Sequence, residues 1–269
     1  IATDDIYYKW ITPWVEEKIG RPFKGLSRYH ALYLVRIKRF DSYFSVSKLQ
    51  PMIKDTFKGL GFDLSSRTDV SLELSNNKVK SPTPMCVGIE IPGDIYVVMK
   101  PVGGLIDLET LLHETGHAFF LSQFDPELPI ERRRLYRSAA LDETFAFLFT
   151  DLLENLAWLE TIAKIEPNQA LSLANIFRTK KLCLIRRYIG KFLAEKEFFE
   201  LGNIKNSDSY CRNLHRATGF IYEPQGYLID MEQDFYALDY LMAWAGAHIL
   251  REYLEAEFGQ EWFHKSDAG

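Results

Sequence analysis

The sequence is poor in several features that would each assign it quickly. Cysteine is scarce: Cys86, Cys183 and Cys211 are the only three in 269 residues, and no two form a C-x-x-C pair. This excludes a disulfide framework and a cysteine-built zinc site, points to a reducing cytoplasmic setting, and leaves each thiol as an expected small buried hydrophobe. Positive charge is not in excess either. A net charge of −5 gives nucleic acid or an anionic membrane no electrostatic hold. No apolar run approaches the ~20 residues that a membrane helix needs, and no signal peptide is visible. Internal repeats, low-complexity tracts and linker-like stretches are missing too, so a single domain over residues 1–269 is expected. The absent initial Met and the ending at Ser266-Asp267-Ala268-Gly269 read as a piece of a longer chain.

What is present is a core. Hydrophobic residues make up 47% of the chain and aromatics 14%, enough to order most of it. Residues 1–65 read as a helical lead-in. Trp10, Trp14, Val15 and Ile19 lie on a first helix interrupted by Pro13, a second runs from Tyr29 to Phe40, and a third from Ser47 to Leu60 is stopped by Gly59 and Gly61. His30 has no metal-like partner four residues on and reads as a packing or surface histidine. Over residues 70–102 the period changes to two. Val70, Leu72 and Leu74 alternate with polar residues, and the apolar runs Met85 to Ile91 and Ile95 to Met99 flank Pro92-Gly93-Asp94, which predicts a small sheet with a hairpin.

Residues 107–269 return to helical spacing. Ser138 to Trp158 carries Leu141, Phe145, Leu148, Leu152 and Leu156 on one side, a long helix follows Pro167 to Leu201, and a last one runs from Met231 to Phe258. Asp125 to Arg137, with the run Glu131-Arg132-Arg133-Arg134, reads as an exposed loop or short helix. Lys180, Lys181, Arg186 and Arg187 are expected to be solvated. Tyr236, Tyr240 and Trp244 follow one another at one-turn spacing, a pattern that core packing also produces.

The most specific stretch is Leu111-Leu112-His113-Glu114-Thr115-Gly116-His117-Ala118, which holds H-E-x-x-H. Residues four apart on a helix share a face, with Cβ atoms ~5–6 Å apart, so His113 and His117 can hold one metal ion. Asp107 as N-cap and the stripe Leu108, Leu111, Leu112, Ala118 and Phe119 predict that helix, which ends before Pro126. Neutral imidazole suits Zn²⁺, the ion lowers the pKa of its water to about 7, and Glu114 beside the ligands accepts the proton. Glu109, one turn earlier, is a candidate acceptor for the other nitrogen of a ligand imidazole; an ordinary glutamate near the helix's positive end is the plainer reading. A catalytic zinc takes a third protein ligand. Phe120 and Gln123 exclude the class that places a glycine and a histidine at those positions. An acid on the next helix remains, and Asp142, Glu143, Asp151 and Glu154 are candidates that pattern alone does not separate.

The segment Asp107 to Ala118 resembles the extended H-E-x-G-H-A helix of the thimet oligopeptidase and oligoendopeptidase F family of zinc peptidases, including the Glu one turn before the first histidine. Upstream, Lys80-Ser81-Pro82, the strand after it and Gly103-Gly104 resemble that family's approach to its site. Downstream, Leu141-Asp142-Glu143-Thr144-Phe145-Ala146 is similar to the segment bearing the third ligand, and Phe235 to Leu241 to the tyrosine-bearing helix of the cleft. About residues 20 to 260 take part. The resemblance implies a mainly helical α+β, zincin-like catalytic domain with a small sheet beside the zinc helix. It implies Zn²⁺ on His113, His117 and Glu143, with Glu114 as general base. Tyr236, and after it Tyr240, would donate to the tetrahedral oxyanion, and the substrate would be an oligopeptide. Family members are longer, with an N-terminal helical portion over the cleft. Two positions depart from the pattern: Phe120, where the family has a histidine, and Asp230-Met231-Glu232, where another is usual. A zinc carboxypeptidase of like geometry and a non-catalytic, metal-stabilised interaction domain are the alternatives, and Glu114 argues against the second. The sequence sets no oligomeric state.

Overall fold

The computed structural model describes residues 2–78, 80–81, 83–134, 138–205, 207–232 and 234–269. Pro82 of the approach segment and Arg137 at the end of the exposed stretch lie outside the described residues. In chain order, α1 (Asp4–Ile19), α2 (Arg28–Val35) and α3 (Val46–Gly59) precede β1 (Val70–Glu73), β2 (Met85–Glu90) and β3 (Asp94–Val98). Then come α4 (Leu105–Ser122), α5 (Ile130–Arg134), α6 (Ala139–Thr150), α7 (Leu156–Thr161), α8 (Pro167–Leu201), α9 (Ser207–Thr218), α10 (Tyr227–Asp230) and α11 (Tyr236–Phe258). The fold is mainly helical with one small sheet. No helix among the described residues is long and apolar enough to cross a membrane. Cys183 is buried, and Cys86 and Cys211 are half-buried. The chain forms two compact units, one of Ile1–Ile37 and Asn175–Met242, the other of Lys38–Ala174 and Ala243–Gly269.

In the first unit, α1 runs through Pro13 instead of breaking there. Its buried Tyr7, Ile11, Trp14 and Val15 provide packing that outweighs a helix-interior proline penalty of about 3 kcal/mol. His30 is structural. It closes a capping box at the start of α2, where the Ser27 amide donates to its Nδ1 at 3.1 Å. α2 stops at Val35, short of Phe40, and Ile37 just beyond it holds a left-handed φ of 45°. α11 begins at Tyr236 and not at Met231, because Asp234 and Phe235 hold φ of 53° and 58°. Of the basic residues of α8 expected to be solvated, Lys180 and Arg186 are buried and Lys181 and Arg187 half-buried. Arg186 is fully buried, donating to Asp4 Oδ1 at 2.5 Å and Thr3 Oγ1 at 2.7 Å, with its guanidinium 4.3 Å from the Tyr7 ring centre. Arg187 pairs with Asp230, and Lys180 is buried beside the Phe177 ring.

In the second unit the sheet order is β1-β3-β2, with β3 parallel to β1 and antiparallel to β2. Ile95 and Val97 of β3 are fully buried, so one face of the sheet closes on the core while β2 stays an edge. α4 packs against β2, β3 and α6, and Leu108, Leu111, Leu112, Ala118 and Phe119 are buried as its stripe requires. Asp107 is not the N-cap; Gly104 is. Asp107 sits in the first turn and reaches back to accept the amides of Val102 at 2.6 Å and Gly103 at 2.7 Å. The Leu105 amide donates to Asp41 at 3.0 Å. A Cβ on Gly104, at φ 107°, would stand 2.8 Å from that same carboxylate, so glycine is needed there.

The helix expected over Ser138 to Trp158 is broken. α6 ends at Thr150, Asp151–Glu154 tightens to a 3-10 turn, and Asn155 caps α7 by accepting the Trp158 amide at 2.9 Å. The stripe is buried only around the break and not at its two ends. Leu148 and Leu152 are buried, but Leu141 is 48% and Leu156 37% exposed.

Candidate metal centre

α4 sets His113 and His117 one turn apart with their Nε2 atoms 3.3 Å from each other. α6 brings in Glu143, whose buried Oε2 lies 3.4 Å from His113 Nε2 and 3.7 Å from His117 Nε2. The approach of the two helices depends on Gly116. A Cβ at that position would stand 2.7 Å from Ala146 Cα and 2.8 Å from the Phe145 carbonyl oxygen. On α11, a Cβ on Gly246 would meet Thr144 Oγ1 at 2.6 Å, so α6 is seated against glycine at two places. Backbone contact without a side chain between is what puts residues 142 and 143 beside the imidazoles.

The spacing fits a metal ion. A tetrahedral ion with N and O ligands ~2.1 Å away holds them about 3.4 Å from one another, close to the observed 3.3, 3.4 and 3.7 Å. Among the described residues, this is the group of histidine, cysteine and acidic side chains gathered closely enough to share an ion. Two imidazoles with one carboxylate suit Zn²⁺. The remaining acid candidates have other partners. Asp151 and Glu154 accept from Arg251 at 3.2 Å and 3.4 Å.

Asp142 has a different part, which sequence reasoning weighed only as a metal ligand. Its Oδ1 lies 2.6 Å from His117 Nδ1, so the shared proton sits on that side and the Nε2 lone pair points the other way. The signal was present as two adjacent acids on one helix, because an imidazole ligand needs a partner for each of its nitrogens. Burial pushes His113 down to about 3, helped by the neighbouring His117 charge, and keeps it neutral. Burial works to lower His117 as well. The hydrogen bond and charge of Asp142, with the charges of Glu143 and Glu114, outweigh it and raise His117 above its ordinary value. Phe147 lies 5.4 Å from the His113 ring and stacks on Trp244 at 4.5 Å, an apolar wall beside that imidazole.

Glu114, between His113 and His117 in sequence, is half-buried. Burial raises its carboxyl, against the His117 charge and a hydrogen bond from the Cys86 backbone on β2 that tethers it to the sheet. Glu109 falls in the second turn of α4 and is half-buried; the carboxylate on His117 Nδ1 is Asp142. Phe120, where a histidine was the comparison, stacks on Phe145 at 5.2 Å. Tyr236 and Tyr240 belong to the first unit and the metal-ligand group to the second. The two tyrosine rings meet edge to face at 5.0 Å, Tyr188 lies 4.7 Å from Tyr240, and the fully buried positions of α11 include Ala237, Ala243 and Ala247 while both tyrosines are half-buried. No protein-family model matches the chain, and no curated protein or solved structure matches it. The functional reading therefore rests on the site's own residues.

Proposed function

We propose that the chain is a zinc-dependent endopeptidase of the thimet oligopeptidase and oligoendopeptidase F type, a zincin-like catalytic domain that hydrolyses oligopeptides in the cytoplasm. The observation that carries this reading is the triangle of His113, His117 and Glu143 with Glu114 tethered beside it and outside it. A structural zinc is closed by four protein ligands and has no use for a base, whereas three ligands beside a reserved carboxylate make the catalytic pattern. His113, His117 and Glu143 would hold the ion. When bound, it supplies Lewis acidity toward water and the scissile carbonyl.

The chain's own groups do the rest. Glu114 takes a proton from the attacking water as the oxygen bonds to the carbonyl carbon, then gives it to the leaving amine as the C–N bond breaks. A carboxyl raised by burial is a better base near neutral pH than an exposed one, and the Cys86 amide fixes where it points. Asp142 orients the His117 ring. Edge strand β2 offers backbone on which an extended peptide can pair, and Tyr236 and Tyr240 are the proposed oxyanion donors. Glu114→Gln tests the reading. It should bind zinc as the wild type does and lose at least ~10²-fold in cleavage of a quenched-fluorescence peptide panel, while chelator abolishes and Zn²⁺ restores wild-type cleavage. Equal turnover in variant and wild type ends the proposal.

A further inference from the structure

The first unit contains a hollow of about 470 Å³ walled by Phe198, Phe199, Leu228 and Met231. Its polar side is acidic. Glu195, Glu232 and Asp234 line it, and its described lining includes no lysine or arginine. Glu195 is 5% exposed; its Oε1 accepts the Phe235 amide at 2.8 Å, and its buried Oε2 has no hydrogen-bond partner among the described residues. A carboxylate withdrawn from water with one oxygen unused is costly until a positive group meets it. Burial, with the charges of Asp234 and Glu232, accordingly raises the Glu195 carboxyl.

The charge in the hollow is not balanced from within. Glu232 is met by Lys191 at 2.6 Å, but among the described residues no cation lies within ion-pair distance of Glu195 or Asp234. Asp234 and Phe235 hold left-handed φ of 53° and 58°, uncommon for two consecutive residues with side chains, and the Glu195 bond to the Phe235 amide secures that turn. Phe199 and Leu228 are 68% and 57% exposed, so the apolar wall continues to the outer surface.

We propose that this hollow binds a lysine or arginine side chain carried on a peptide, with its methylene stem along Phe198, Phe199, Leu228 and Met231 and its charged head against Glu195 and Asp234. The walls select the class. A small inorganic cation wants a shell of oxygens, which four apolar side chains do not provide. Anions meet two acids, and a neutral chain leaves Glu195 as it is. Long cationic side chains bury their stems on apolar surface while the head finds a counter-charge. The inference stands on the first unit alone and is independent of the hydrolase reading.

The test is calorimetric titration of the full chain at low salt with acetyl-Leu-Lys-Leu-amide and its central-Gln and central-Glu counterparts, intact peptide being confirmed by mass spectrometry afterwards. The Lys peptide should bind at least ~tenfold more tightly than the Gln peptide, and the Glu peptide more weakly than either. Glu195→Gln should erase the preference for Lys over Gln. Leu228→Lys, a change at an exposed position that places a competing cation at the wall, should abolish Lys-peptide binding without altering the melting temperature. Equal affinity for the Lys and Gln peptides, or an undiminished preference in the Leu228→Lys protein, overturns the proposal.

Discussion

Gly116→Ala adds one methyl group to the middle of the metal helix and sets two effects against each other. On an exposed helix the change stabilises by about 1 kcal/mol, because alanine is the better helix former. Here the new Cβ would stand 2.7 Å from Ala146 Cα, 2.8 Å from the Phe145 carbonyl oxygen and 3.0 Å from the Ala146 nitrogen, backbone atoms of α6 that no rotamer change can clear. Ordinary contact begins at 3.4 Å, so the helices must part by about 0.7 Å. Overpacking of this kind costs about 1–3 kcal/mol, which outweighs the propensity gain and leaves a net loss of up to about 2 kcal/mol. The melting temperature should drop by a few degrees.

The proposed metal ligands should feel the change more than the fold does. Metal sites tolerate about 0.2 Å in their ligand distances, several times less than the required parting, and Glu143 is the proposed ligand carried on the helix that moves. Zinc affinity should therefore fall at least ~tenfold even where the protein still folds. Competition against a chromogenic chelator, with melts in the presence and absence of zinc, reads both effects. A variant that melts at or above the wild-type temperature and binds zinc equally would refute the close-approach argument. One that melts lower yet binds zinc equally would show that the ligand triangle does not depend on the distance between α4 and α6.

Asp142→Asn keeps the shape and removes the charge 2.6 Å from His117 Nδ1; zinc affinity should fall ~10–100-fold in the same competition, and an unchanged value would discount Asp142. Tyr236→Phe should keep zinc and melting temperature while lowering turnover at least ~tenfold, whereas full turnover would return that tyrosine to packing alone. Asp230 should give stability an acid limb. Burial works to raise its carboxyl, but Arg187, the Tyr210 hydroxyl, Lys191 and Arg28 outweigh it and hold it below its ordinary value. With a folded pKa under the unfolded ~3.9, its contribution is present above that pH and is lost as pH falls through the folded value. Arg187→Met should flatten this limb in denaturant melts taken below about pH 4, and identical limbs in variant and wild type would remove Asp230 from the account.

Features written locally were legible in the sequence. The β2–β3 hairpin follows from the short apolar runs on either side of Pro92-Gly93-Asp94, and the α4 stripe from apolar residues on one helical face. Features that need a partner far along the chain were not. Arg186 sits in a basic stretch that reads as solvated, and Asp4, 182 residues earlier, together with Tyr7, makes its burial tolerable. Pro13 reads as a break until the buried face of its helix is known. Asn155 is the opposite case, a cap signal in plain view that the leucines on both sides of it obscured.

The site divides along the same line. H-E-x-x-H picks out two candidate ligands and a candidate base because all three belong to one helix, where spacing alone fixes which face each residue takes. The candidate third ligand belongs to a second helix, and adjacent residues there point about 100° apart, so Asp142 and Glu143 remain equal until packing decides between them. Gly116 makes the decision by admitting the α6 backbone to contact distance. The shorter acid then meets His117 at Nδ1, at 2.6 Å, while the longer one reaches the far side of the ring and stands 3.7 Å from Nε2 and 3.4 Å from His113. One imidazole is thereby flanked at both nitrogens by consecutive residues of one helix. That division of parts follows from side-chain length and helix contact, and neither the motif nor the acid pair states it without the other.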